Sequence, residues 1–380
     1  MSNSYINERE LTKDFFVDAK RHANNLFGCD LDITARCNNN CRHCYINVSP
    51  DDCHAKSLEL SVEEISEIAH EAVYMGAMFV KISGGEPLLR DDFSDIYLML
   101  KWMGFVVSVY TNATLVNDAH VQLFRKYPPC DIEVTVYGVT ESTYENVTRR
   151  KGSFDSFMHG LNLLLDNGIK VRLKAMALRS NIHELGAITE FCRARTKDYF
   201  RFDSWLHLRY DGNPLRNEEI KSERLPYNEF VASEMGDTEK RNVLINHCSE
   251  YIINKEHSIP NCDRPLLYCG AGNNKCAINH EGFFQLCSSL QHPECRYDLR
   301  KGSLTEAYRS LVPKVRSMHS QRKDFVDRCG CCSIVNFCLW CPANSYLETG
   351  ELDSPVDYFC EVAHARVAAI QGIKEKGYSE

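Results

Sequence analysis

The sequence predicts an α/β protein built on a parallel sheet of six strand–helix units, followed by a cysteine-rich region. Three observations carry this. Between residue 28 and about residue 210, short β-branched runs alternate with helix-like segments, the order expected of βα units joined by right-handed crossovers. The segments between the runs carry helix punctuation. Ser61-Val62-Glu63-Glu64 is a capping-box pattern, Gly76 a C-terminal stop, and Asn167-Gly168 another. Finally, 11 of the 19 cysteines fall between Cys262 and Cys360, which marks a second region of different character. Periodicity alone does not separate an open sheet from a partial barrel.

In order, residues 1–27 read as a polar extension holding one helix, from Glu8 to Asn25, too short for a domain with its own core. Strands are expected at Gly28–Thr34, Ala77–Ser83, Gly104–Tyr110, Asp131–Tyr137, Lys170–Leu178 and roughly Phe200–Leu208. Helices are expected from Ser61 to Gly76 and near Asp92–Met103, Asp118–Tyr127, Phe154–Asn167 and His183–Arg195. Residues 211–260 open on the turn Tyr210-Asp211-Gly212-Asn213-Pro214 and form a mostly helical bridge. Residues 261–365 are the cysteine-rich domain and 366–380 a tail.

Composition narrows the function classes. A formal net charge of −8 gives no reason to expect a nucleic acid or an acidic membrane as partner. No stretch reaches the roughly 18 to 20 apolar residues of a membrane span, and the polar N-terminus lacks the apolar core of a signal peptide. Without an export signal, 19 cysteines with C-x2-C spacings favour metal ligation in a reducing cytosol over disulfides. The expectation is a soluble, oxygen-sensitive, cytoplasmic protein.

Chemistry in α/β barrels collects in the loops after the strands, and the notable motifs lie there. After the first strand comes Cys37-Asn38-Asn39-Asn40-Cys41-Arg42-His43-Cys44. Three thiolates are one short of the four that usually hold a [4Fe–4S] cluster, leaving one iron open; a zinc knuckle is the rival reading. After the second strand comes Ser83-Gly84-Gly85-Glu86-Pro87, whose paired glycines let backbone approach a ligand closely and whose carboxylate can accept from an amine. After the third comes Thr111-Asn112-Ala113-Thr114.

Together these resemble the radical S-adenosylmethionine (SAM) enzymes, and the resemblance implies a (β/α)6 partial TIM barrel. In that family the open iron chelates SAM, and reduction cleaves it to methionine and a 5′-deoxyadenosyl radical. It implies that Gly84, Gly85 and Glu86 hold the methionine ammonium, that Asn112 lies in a turn where Ala113 replaces the usual glycine, that Thr135 meets the ribose, and that Lys174 pairs with the SAM carboxylate. For Thr135 and Lys174 a barrel-lining hydroxyl and a solvated charge remain the plainer alternatives.

Downstream, Cys269, Gly282 and Cys287 precede Cys329-x2-Cys332-x5-Cys338-x2-Cys341 and Cys360. This resembles the SPASM extension, which carries two auxiliary [4Fe–4S] clusters, although the family spaces its last close pair by three residues. The resemblance implies Cys269, Cys287 and Cys341 on the first auxiliary cluster, with Cys276 as an available fourth ligand. It implies Cys329, Cys332, Cys338 and Cys360 on the second, making three four-iron clusters with SAM. Two zinc sites are the rival. Cys29, Cys130 and Cys192 read as small core hydrophobes. Cys53, Cys248, Cys262, Cys295 and Cys331 have no assigned role.

The segments 134–148, 152–155 and 200–203 look like those of SPASM proteins that mature ribosomally made peptides. The first expectation is therefore a maturase that takes a hydrogen from a precursor peptide, leading to crosslinking, epimerisation or excision. Its electron donor would be a flavodoxin or ferredoxin, and a separate small protein would bind the leader. A radical dehydrogenase of an aminocyclitol or other small alcohol is the second reading, and a non-enzymatic iron–sulfur electron carrier the third.

Overall fold

The computed structural model describes residues 26–196, 200–253, 265–330 and 332–377. The six strands form as β1 (Gly28–Thr34), β2 (Phe79–Gly84), β3 (Val106–Thr111), β4 (Ile132–Val136), β5 (Val171–Met176) and β6 (Arg201–Asp203). Each pairs in parallel with the next, in chain order. Between β1 and β2 run α1 (Cys53–Leu58) and α2 (Val62–Tyr74). Then come α3 (Phe93–Trp102), α4 (Asp118–Lys126), α5 (Glu141–Thr148), α6 (Ser153–Asp166) and α7 (Leu185–Arg195). The Ser61–Glu64 capping box is made in both directions. The fold is thus the expected (β/α)6 partial barrel. Helices α1 and α5 are additions to the expected list; both are short and mostly polar.

Strand alternation sorts the side chains into two faces. One is aliphatic and closed, with Leu31, Ile33, Val80, Ile82, Val107 and Val134 each at most 4% exposed, and burial of each such side chain contributes roughly 2 kcal/mol. The other face is polar and cross-braced from strand to strand. Lys81 reaches Asp30 at 2.6 Å and lies 5.1 Å from the Tyr110 ring centroid. Ser83 donates to Asp32, and Lys174 pairs with Asp203 at 2.9 Å.

Three further strands extend the sheet on the far side of β1. They are β7 (Lys275–Ile278), parallel to β1, then β8 (Phe283–Gln285) and β9 (Arg296–Asp298), both antiparallel. This moves the expected boundary at residue 260. The chain forms two compact units, and residues 270–288 and 293–313 belong with the barrel. The other unit comprises 206–269, 289–292 and everything from 314. Its longer helices are Pro214–Glu223, Tyr227–Gly236, Thr238–Ile253, Pro342–Thr349 and Asp357–Gly377. Phe337, Ala363 and Ile370 form an apolar cluster there, beside a buried Arg366–Glu234 ion pair at 2.7 Å. The expected tail from residue 366 is therefore mostly the continuation of a helix. Cys29 and Cys192 are buried as expected, whereas Cys130 is exposed. The N-terminal extension up to residue 25, with its expected helix, Cys262 and Cys331, and the side chain of Cys248, lie outside the described residues. Among the described residues no helix is long and apolar enough to cross a membrane.

Candidate metal centre and cofactor site

The cysteine loop leaves β1 and is pinned at its base by Cys37 N–H to Val48 O and Val48 N–H to Ala35 O, both 3.0 Å. Its outer half hangs on the end of α5. Asn40 N–H donates to Thr148 O at 2.9 Å and Arg42 N–H to Val147 O at 3.0 Å. The Arg42 side chain donates to Asn146 O, and Arg149 returns two hydrogen bonds to Asn40. A helix C-terminus leaves its last carbonyls without partners, and here the loop supplies them.

Within the loop, N–H groups already point at sulfur. Asn39 N–H and Asn47 N–H lie 3.4 Å from Cys37 Sγ and Cys44 Sγ, and Asn112 Nδ2 lies 3.7 Å from Cys37 Sγ. Burial, followed by the neighbouring Cys41 thiol and the Glu86 carboxylate, pushes the Cys37 thiol well above its ordinary range. A cationic centre would reverse that, since ligating sulfur must be deprotonated. Both side-chain atoms of Asn39 and the Tyr144 hydroxyl are buried with no hydrogen-bond partner among the described residues. Among the described residues no three His, Cys, Asp or Glu side chains are drawn together as the site of a single metal ion, but the N–H donors and unpartnered buried polar atoms beside Cys37, Cys41 and Cys44 fit a larger iron–sulfur cluster at this loop.

The glycine pair has a reason besides ligand approach. A Cβ on Gly84 would stand 2.1 Å from Thr34 O, and one on Gly85 would stand 2.3 Å from Arg36 O. The turn after β2 is therefore fitted against the backbone leaving β1, with Gly85 N–H on Thr34 O and Glu86 N–H on Arg36 O.

Glu86 is fully buried. Its oxygens accept from Leu88 N–H at 3.1 Å, the Thr111 hydroxyl at 2.7 Å and Asn112 N–H at 2.7 Å. Beside any ammonium it meets, this carboxylate already has protein donors, and through them it ties the turn after β2 to the turn after β3. Asn112 continues the tie, donating to Asn38 Oδ1 at 2.9 Å. Ala113 takes the left-handed backbone, φ 62°, that its glycine-replacing position implies. Thr135 lies beside Lys174 in the β4–β5 register, and Lys174 is held by Asp203.

Burial raises the Glu86 carboxyl to about 7, against the opposing pull of its three donors. A raised folded-state value means the native protein holds the proton more tightly than the unfolded chain does between pH 4.5 and about 7. Stability from this group therefore falls as pH rises through that window. Relative to Glu86→Gln, the metal-free wild type is expected to lose about 3 kcal/mol between pH 4.5 and 8, read by urea unfolding of both proteins. Parallel pH profiles would show that Glu86 does not titrate abnormally.

In the second unit Cys329, Cys332, Cys338 and Cys360 lie near enough to influence one another's ionisation. Burial, then the other thiols of this set, raise Cys329 to about 11, and Cys338 is raised likewise. Cys338 Sγ also receives Trp340 N–H at 3.4 Å. Tyr268 donates to Trp340 O at 2.7 Å, joining the segments that carry Cys269 and Cys341, while Cys287 belongs to the barrel unit. The expected fourth ligand, Cys276, is elsewhere. It sits in β7 in register with Cys29, 2% exposed, its sulfur 3.4 Å from that of Cys29. Its place in the sheet removes it from the loop segments.

The sequence reading passed over the cross-strand groups Asp30, Asp32 and Ser83, and over Asn38, Asn39 and Tyr144. For the strand residues a signal existed, since polar side chains alternate with aliphatic ones in Asp30-Leu31-Asp32-Ile33. For Tyr144 there was none short of recognising α5.

A cysteine loop, a glycine–glutamate turn and an asparagine turn after successive barrel strands define a class of protein. Residues 31–192 match the radical SAM superfamily. This stretch of the chain is a radical SAM domain. Its relatives include the probable GTP 3′,8-cyclase of Methanothermobacter thermautotrophicus, 31% identical over 46% of this chain and 56% of that one. The antilisterial bacteriocin subtilosin biosynthesis protein AlbA of Bacillus subtilis is 26% identical over 54% of this chain and 46% of its own length. The chain thus spans about half the length of these curated relatives. Among solved structures, Streptococcus suis SuiB bound to precursor peptide SuiA superposes with a TM-score of 0.64 at 14% identity, covering 95% of this chain and 83% of SuiB.

Proposed function

We propose that the chain matures a ribosomally made precursor peptide by radical SAM chemistry. The observation that carries this reading is likeness to peptide-associated proteins on two independent measures. AlbA is related in sequence, and SuiB, crystallised with its precursor peptide, shares the fold over nearly the whole chain. When bound, the cluster and SAM supply the one-electron cleavage that makes a 5′-deoxyadenosyl radical.

The chain's own residues do the rest. Cys37, Cys41 and Cys44 would hold the first cluster. The Gly84–Glu86 backbone and Asn112 would bind the methionine part of SAM, and Glu86 keeps that backbone in place through its bonds to Thr111 and Asn112. Thr135 offers a hydroxyl to the ribose. Lys174, 21% exposed in its side chain, keeps an ammonium available to the SAM carboxylate in exchange for Asp203. Cys329, Cys332, Cys338 and Cys360 would hold an auxiliary cluster within the second unit. Fixing the reacting carbon against one hydrogen and excluding water is the protein's main contribution to rate. A flavodoxin or ferredoxin supplies electrons, and a separate small protein grips the leader.

The 31% identity to a GTP cyclase favours a small-molecule substrate as the second reading. One experiment separates them. Precursor peptides encoded beside the gene are incubated with the reduced enzyme and SAM, with and without the neighbouring small protein, alongside GTP and aminocyclitols. A mass change in the peptide, faster with the partner present, is the expected result. Turnover of a small molecule with every peptide untouched would overturn the reading.

A further inference from the structure

We propose that the phenol of Tyr144 donates a hydrogen bond to sulfur of the cluster held by Cys37, Cys41 and Cys44. Tyr144 is on α5 and is 0% exposed, yet its hydroxyl has no partner among the described residues. A buried hydroxyl left unpaired is uncommon, because nothing replaces the water it gave up. Phenylalanine would fill the same aromatic space without that penalty.

The position of the residue says where its partner belongs. Val147 and Thr148, three and four residues further along, share its face of the helix, and their carbonyls accept the N–H groups of Arg42 and Asn40 from the cysteine loop. The Tyr144 ring lies 5.7 Å from that of Tyr137, which lies 5.2 Å from the ring of His43, between Cys41 and Cys44. Phe157 stacks on Tyr144 at 4.7 Å and Phe154 tilts against it at 5.7 Å, packing the ring on the side of α6. A phenol is protonated at neutral pH, and burial only takes it further from ionising. It is therefore a donor and not a base. Hydrogen bonds to sulfur favour the more negative, reduced state of a cluster and so raise its potential.

This inference rests on the three cysteines holding a SAM-binding cluster, and the test separates the two claims. The full chain, reconstituted without oxygen, is titrated potentiometrically and followed by electron paramagnetic resonance. The signal that changes on adding SAM identifies the cluster. With Tyr144→Phe that cluster should keep its iron but reduce at a lower potential than wild type. With 3,5-difluorotyrosine at position 144, a stronger donor of nearly the same shape, it should reduce at a higher one. Equal potentials in wild type and the fluorinated protein would overturn the proposal, and so would a change confined to SAM affinity. If Tyr144→Phe fails to hold its cluster, the fluorinated protein decides alone. A wild type lacking any SAM-responsive signal would instead overturn the cluster assignment itself.

Discussion

Replacing Cys37, Cys41 and Cys44 together with alanine is expected to abolish 5′-deoxyadenosine formation and leave most of the remaining iron in place. With three four-iron clusters, the reconstituted wild type should carry about twelve irons and the variant about eight. The separation is expected because the loop is held by β1 and α5, whereas Cys329, Cys332, Cys338 and Cys360 belong to the other unit. Retained SAM cleavage would remove the loop from the mechanism. Iron near four per wild-type chain, with stoichiometric zinc, would remove the auxiliary clusters.

Gly85→Ala should destabilise the metal-free protein by about 3 kcal/mol or more. The added methyl would sit 2.3 Å from Arg36 O and 2.5 Å from Ala35 O, and backbone oxygens cannot swing aside as a side chain can. The natural comparison is Gly186→Ala. That glycine lies in α7 with open space where its Cβ would be, so alanine should stabilise by roughly 0.5–1 kcal/mol through helix propensity alone. Denaturant midpoints for the two variants should therefore move in opposite directions. Should Gly85→Ala unfold like wild type, the fit between the β1 and β2 turns is looser than described.

Much of the barrel was legible because two periodicities alternate along the chain. β1 runs from Gly28 to Thr34 as expected, and α2 begins at its capping box. What escaped had no local signature. The β7–β9 ribbon consists of strands of three or four residues, and its attachment to β1 is a long-range pairing that joins residue 28 to residue 275. Cys276 illustrates the cost of reading spacing alone. Its distance from Cys269 suits a ligand, but its register beside Cys29 decides its surroundings. Glu86 shows the converse, since its motif was plain while its enclosure by Leu88, Thr111 and Asn112 was not. Sequence conveys which groups are present at a strand end; the neighbouring strand end decides which of their atoms stay open.

The docking of the cysteine loop onto α5 also orders events during synthesis. Arg42 is bonded to Asn146, 104 residues further along, and Asn40 to Arg149, 109 residues further. A nascent chain exposes the three thiols long before the ribosome has made the carbonyls that shape their loop. Closing a loop of that length must precede the contacts that reward it. Metal loading in its native form is consequently a late step, possible only after β4 and α5 have been translated and folded back onto β1, and until then the thiols depend on the reducing power of their surroundings.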